Sequence, residues 1–178
     1  MSIAVPIEPP ESSLLLELRR GGSYADCFTT RLPAVVTQAQ YVEAFYTTRL
    51  FKAERLILLL LAFKPSTDQD AKDLANGRQD SFAVWRVTQR RPEQLLLTDQ
   101  TGRTSSWLMA VPDRSASSET TTRLYFGSAV TGRASTRTGK QEFGAVFHVL
   151  LGLHKLYSRL LLQAAASSLL AGPPDGQA

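Results

Sequence analysis

Residues 141–169 read QEFGAVFHVLLGLHKLYSRLLLQAAASSL, and this stretch decides the architecture. It contains no proline, and its apolar residues recur at helical spacing. Phe143, Phe147, Leu150, His154, Tyr157 and Leu161 step by threes and fours along one stripe. Val146, Val149, Leu153, Leu156 and Leu160 form a second stripe one residue behind. Together they predict one long helix with a broad buried face, wider than a coiled-coil seam. A face of that width needs a large partner surface. Strand-forming residues between 81 and 132 are the expected supplier.

Working back along the chain, residues 81–90, 94–98, 104–111 and 121–131 read as strands. Arg91-Pro92-Glu93 and residues 99–103 read as hairpin turns. Residues 114–119 form a polar loop, and 132–139 a basic link into the long helix. Further upstream, residues 24–31 alternate apolar and polar side chains and predict a first strand, closed by Pro33. Thr37 and Gln40 have the spacing of a capping box that opens a helix. Helical periodicity then runs to Phe63, with a break at Thr47 and Thr48, which are poor helix formers. Ser66 or Thr67 caps a short helix through Leu74, and Asn76-Gly77 ends it. Strand, helices, meander, then long helix is an α+β order, not alternating βαβ.

Length and composition bound the rest. A chain of 178 residues fits one domain that buries roughly 70% of its unfolded surface, without a disulfide or metal staple. Residues 1–20 are expected as a flexible N-terminal arm, 21–170 as the domain and 171–178 as a disordered tail. Cys27 is the single cysteine, which suits a reducing cytoplasm. The N-terminus has no basic stretch and no long apolar run, so it does not read as a secretory signal. The longest apolar run, 56–63, falls far short of the about 20 residues that span a bilayer. Twenty Lys+Arg against 16 Asp+Glu give a net charge of +4. No recognition motif accompanies that excess, so nucleic-acid binding is not expected.

The element order resembles the helix-grip fold of START-like and polyketide-cyclase-like proteins. Within that superfamily the chain is similar to a family of small bacterial proteins to which no reaction is assigned. Five strings carry the likeness. They are Phe45-Tyr46-Thr47-Thr48 with Glu54-Arg55, residues 82–87 (FAVWRV), 103–108 (RTSSWL), 123–129 (RLYFGSA) and 154–158 (HKLYS). The resemblance spans about residues 24–165. It implies a curved antiparallel sheet gripping the long C-terminal helix, with an apolar cavity between them.

Strand parity and helical periodicity nominate the lining. Trp85, Trp107, Phe126, Phe147, His154 and Tyr157 are expected to face an apolar or amphipathic ligand, because aromatic rings give large contact area at low entropic cost. Each ring can equally be plain core. Arg86 and Arg123 are expected at an anionic end, since guanidinium grips carboxylate or phosphate in bidentate fashion. Structural ion pairs with Asp99 or Glu54 are the competing use of these arginines and of Arg103. Arg49 and Arg55 are weaker candidates.

His154 is a packed histidine or a proton-transferring group. His148, with Gly144, Gly152, Lys155 and Arg159, falls on the opposite, exposed face. Asp68, Asp70 and Asp73 lack the pattern of a calcium loop and suit the start of a helix. Phe126-Gly127-Ser128-Ala129 lacks the second glycine of a nucleophile elbow. Gly127 is read instead as allowing a bulge or a close helix approach. Cys27 reads as a buried strand cysteine.

The expected function is binding of a small hydrophobic or amphipathic molecule between sheet and C-terminal helix, by a cytoplasmic monomer or homodimer. No catalytic residue, cofactor, metal, nucleic acid or membrane span is expected. Two alternatives stand beside it. One is a cyclase- or hydrolase-type enzyme using His154 with Tyr157 or Asp99 as acid and base. The other is a non-catalytic interaction protein with a filled core.

Overall fold

A computed structural model describes residues 3–53, 65–113, 121–134, 141–142 and 145–172, with the side chains of 133–134, 141–142, 145–151 and 153 left aside. The apolar run 56–63, the loop 114–119, much of the link 132–139, the tail beyond Gly172 and the Phe147 side chain lie outside what is described.

The elements run β1 (Val5–Pro6), α1 (Leu14–Arg20), β2 (Tyr24–Leu32), α2 (Gln38–Thr47), α3 (Asp68–Ala75), β3 (Ser81–Phe82) and β4 (Trp85–Arg91). β5 (Gln94–Asp99), β6 (Thr104–Asp113), β7 (Thr121–Val130), β8 (Arg133–Ala134), β9 (Gln141–Glu142) and α4 (Ala145–Ala171) follow. Seven strands form one antiparallel, unclosed sheet in the order β1-β2-β7-β6-β5-β4-β3, and β8 pairs with β9 apart from it. The long C-terminal helix lies against β2 and β7, beside α2. This is an α+β fold of helix-grip-like class.

Several local rules are visible in the elements. Thr37 and Gln40 form a reciprocal capping box at α2, and Thr67 and Asp70 form another at α3. Each box satisfies backbone N–H groups that a helix start leaves unpaired. Gly77, with φ +72°, takes the left-handed position after α3. Thr48 ends α2, its hydroxyl returning to the Phe45 carbonyl over 3.0 Å, and residues 49–53 are helical again.

The alternation of side chains sorts two apolar layers. On one face Phe28 and Leu32 of β2, Leu95 and Leu97 of β5, Leu108 of β6 and Leu124 and Phe126 of β7 meet α2, α3 and α4. On the other face Cys27, Leu96, Trp107, Met109, Tyr125 and Ala129 meet Leu14 and Leu15 of α1.

Three expectations are corrected. The segment expected as a flexible arm carries β1, paired with β2, and α1, whose Leu14 and Leu15 are buried. The strand expected over 81–90 is two strands. A turn at Ala83, with φ +52°, folds β3 back onto β4 so that Phe82 pairs with Trp85. Finally, the second apolar stripe of α4 is not buried throughout: Leu156 and Leu160 are 54% and 45% exposed. Among the described side chains of α4, the buried ones are Ser158, Leu161, Leu162, Ala165 and Ala166, on the face toward the sheet and α2.

Candidate functional site

Asp26 of β2 and Ser128 of β7 are direct partners in the antiparallel ladder. Both point to the α4 face, in register with Phe28 and Phe126. His154 descends from α4 onto this pair. The Ser128 hydroxyl lies 2.7 Å from Asp26 Oδ1 and 2.6 Å from His154 Nε2. A carboxylate offers only acceptors, so the one hydroxyl proton goes to Asp26, and Nε2–H of His154 must donate to Ser128 Oγ. In the tautomer that makes this bond without a second ring proton, Nδ1 carries the lone pair.

Asp26 and Ser128 are buried, whereas the His154 side chain is 37% exposed. Asp26 Oδ2 makes no hydrogen bond among the described residues and lies 3.8 Å from Nε2. The order Asp–Ser–His is not that of a nucleophilic triad, in which the imidazole stands between the other two and takes the serine proton. Ser128 is a bridge, and the chemistry open to this chain is proton holding at His154.

Next to this chain a cleft of about 630 Å³ separates β1, the turn after it and β2 from α4. Pro6, Ile7, Pro9, Ala25 and Phe28 supply its apolar wall, and Asp26 and Cys27 also line it. Lys155 and Arg159 face it from successive turns of α4. Arg19 of α1 and Glu8 complete the rim and pair with each other. Arg159 Nε donates to the Ala4 carbonyl over 3.3 Å. Lys155 makes no ion pair among the described residues. The Cys27 thiol is pushed up to about 12, first by burial and then by the charges of Asp26 and Glu8. A second cleft, of about 480 Å³, lies between the ends of α2 and α3 and the β4–β5 hairpin.

The expected lining residues are spread over the molecule. Phe126 packs its ring against Phe45, with centroids 4.7 Å apart, and Tyr157 is half-buried against the same layer. Trp85 also faces this layer. Trp107 is fully buried on the opposite face against α1, its Nε1–H donating to Gln94 Oε1 over 2.9 Å. Arg86 is exposed. Arg123 stands opposite Arg31, and both reach the buried Asp113 carboxylate, at 3.1 and 2.7 Å. Asp99 is taken up in its own turn, accepting from Arg103 and Thr104 N–H. Between α2 and the sheet the rings of Phe45, Tyr46, Phe51, Phe82 and Phe126 pack on one another.

Sequence reasoning missed Asp26 as a partner of His154, and Lys155 and Arg159 as cleft residues. For Asp26 a signal existed: it shares parity with Phe28 and Leu32, so alternation puts a carboxylate on the face that buries those two. Among the described residues no helix is long and apolar enough to cross a membrane, and no group of His, Cys, Asp and Glu is gathered to hold a metal. Comparison with protein-family models, curated proteins and solved structures returns no match.

Proposed function

We propose that the protein binds a small amphipathic anion in the cleft between its N-terminal strands and the C-terminal helix, in the manner of a START-like, helix-grip binding protein. The observation that carries this reading is the cleft itself. It has the volume of a small-molecule site, an apolar wall from Pro6, Ile7 and Phe28, and two cations one helical turn apart. Arg19 is neutralised by Glu8, which leaves Lys155 and Arg159 to meet an anionic group. This cleft sits at the β1–β2 edge beside α4, and among the described residues none of the lining residues expected from sequence borders it. The anionic end moves from Arg86 and Arg123 to α4, because Asp113 already holds Arg123.

Calorimetric titration with decanoate, with decanol as the uncharged control, tests the reading. Decanoate should bind better than decanol. Lys155→Gln, a change at an exposed residue, should weaken decanoate about tenfold, the scale of one lost charge-assisted contact. Equal affinity of the variant and the parent protein for decanoate would end the proposal.

The Asp26–Ser128–His154 chain, whose Asp26 borders the cleft, favours a second reading, acid–base catalysis by His154. Turnover that vanishes in His154→Phe and persists in Ser128→Ala with a displaced pH profile is its signature. Loss of turnover to the same extent in both, with no change of profile, would leave only a structural role.

A further inference from the structure

We propose that Glu8 is a built-in competitor for the anion site, so that an anionic ligand and the segment 4–9 control one another. This rests on the cleft reading above and adds its regulation. Segment 4–9 crosses the cleft as a strap held at its ends. Ala4 is fully buried, and its carbonyl accepts from Arg159 of α4. Pro9 is buried at the other end. Between them Val5, Pro6, Ile7 and Glu8 are exposed. The strand pairing of this strap covers only Val5 and Pro6, and Pro6 has no N–H to give. Ile7 N–H adds one bond to the Cys27 carbonyl, at 3.0 Å.

Glu8 brings a carboxylate to the rim shared by Arg19, Lys155 and Arg159 and pairs with Arg19. It is therefore an internal copy of the group that the cleft would take from outside. Both side chains of the pair are open to water, 44% for Arg19 and 81% for Glu8. Exposed pairs of this kind contribute little to stability, so an entering anion displaces Glu8 at small cost. It then gains Arg19 as a third cation. Arg159 links the two events, because it holds the strap through Ala4 while facing the ligand.

The test is the decanoate titration at low ionic strength on the full chain, comparing Glu8→Gln, Glu11→Gln and the double variant Glu8→Gln with Arg19→Gln. Glu11 pairs with Arg20 at 2.7 Å and does not line the cleft, so it controls for net charge alone. Glu8→Gln should tighten decanoate binding about three- to tenfold. Glu11→Gln should leave affinity near that of the parent protein, and the double variant should lose the gain.

Two results would overturn the proposal: equal affinity of Glu8→Gln and parent, or an equal gain in Glu11→Gln. If either occurs while Lys155→Gln still weakens binding, the competitor falls and the cleft stands. Should Lys155→Gln have no effect, or decanoate not bind at all, both fall together.

Discussion

Ser128 stands opposite Asp26 in the β2–β7 ladder, and its hydroxyl donates to the carboxylate over 2.7 Å while accepting from His154 at 2.6 Å. One small side chain thus ties the buried acid of the sheet to the C-terminal helix.

Replacing Ser128 by Ala should expose the value of that tie. Asp26 Oδ1 would keep only the Ser128 backbone N–H, at 3.3 Å, and His154 Nε2 would lose its acceptor. A buried group stripped of its partner costs about 1–3 kcal/mol, read as a lower urea midpoint. Asp26→Asn removes the charge but keeps the shape. A cycle of the two changes should therefore show coupling of about 0.5–3 kcal/mol. Strict additivity would deny the link.

Gln94 makes a second prediction, on the other face of the sheet. Its Oε1 accepts from Leu14 N–H at 3.0 Å and from Trp107 Nε1–H at 2.9 Å, and its amide donates to the Ser12 carbonyl at 3.0 Å. One buried side chain therefore fixes the start of α1. Gln94→Leu should orphan two donors, cost about 2 kcal/mol or more, and speed hydrogen exchange at the Leu14 amide ahead of the β6 and β7 amides. Uniform exchange throughout would show that α1 does not depend on Gln94.

These two sites show where sequence reading stops. The capping boxes at Thr37 and Thr67 were legible because their rules are local, three residues apart. The long helix and the meander were legible from period alone. The helix α1 was not, because seven residues carry too little periodicity, and its shape is set by Gln94 and by burial of Leu14 and Leu15 under Trp107. Ala83 carries no turn signature, so the β3–β4 hairpin read as one strand. The Asp26–Ser128 pair needs the register of strands about 100 residues apart, which no local pattern encodes. The cleft is similar: Lys155 and Arg159 read as an exposed face until β1 is laid beside α4.

Gly127 supports a third prediction. A methyl placed there would collide with Leu15 of α1, stand 2.8 Å from the Asp26 carbonyl oxygen and 3.3 Å from Trp107. The close approach expected at this glycine is thus made by α1, not by the long helix. Gly127→Ala should destabilise the protein by about 1–3 kcal/mol, the usual cost of overpacking. Made in a Leu15→Ala background, Gly127→Ala should cost less than in the parent chain but still destabilise, because the Asp26 contact is backbone. No cost in that background would place the whole strain in Leu15.

The fourth prediction concerns alkaline pH and Cys27. Burial holds the thiol up to about 12 against an ordinary value of 9.0. The folded protein therefore keeps a proton that the unfolded chain has released. The sign follows from linkage: stability is undiminished below pH 9 and falls as pH rises from 9 toward 12. Tyr41, fully buried and raised by the same cause, acts in the same direction at still higher pH. Urea midpoints measured from pH 8 to 11 should fall more steeply for the parent protein than for Cys27→Ala, which has no proton to withhold. The thiol should also resist Ellman's reagent in native buffer and react only as fast as the chain opens. Parallel midpoint curves, or rapid labelling of the folded protein at pH 8, would mean that Cys27 is open to solvent through the cleft it lines.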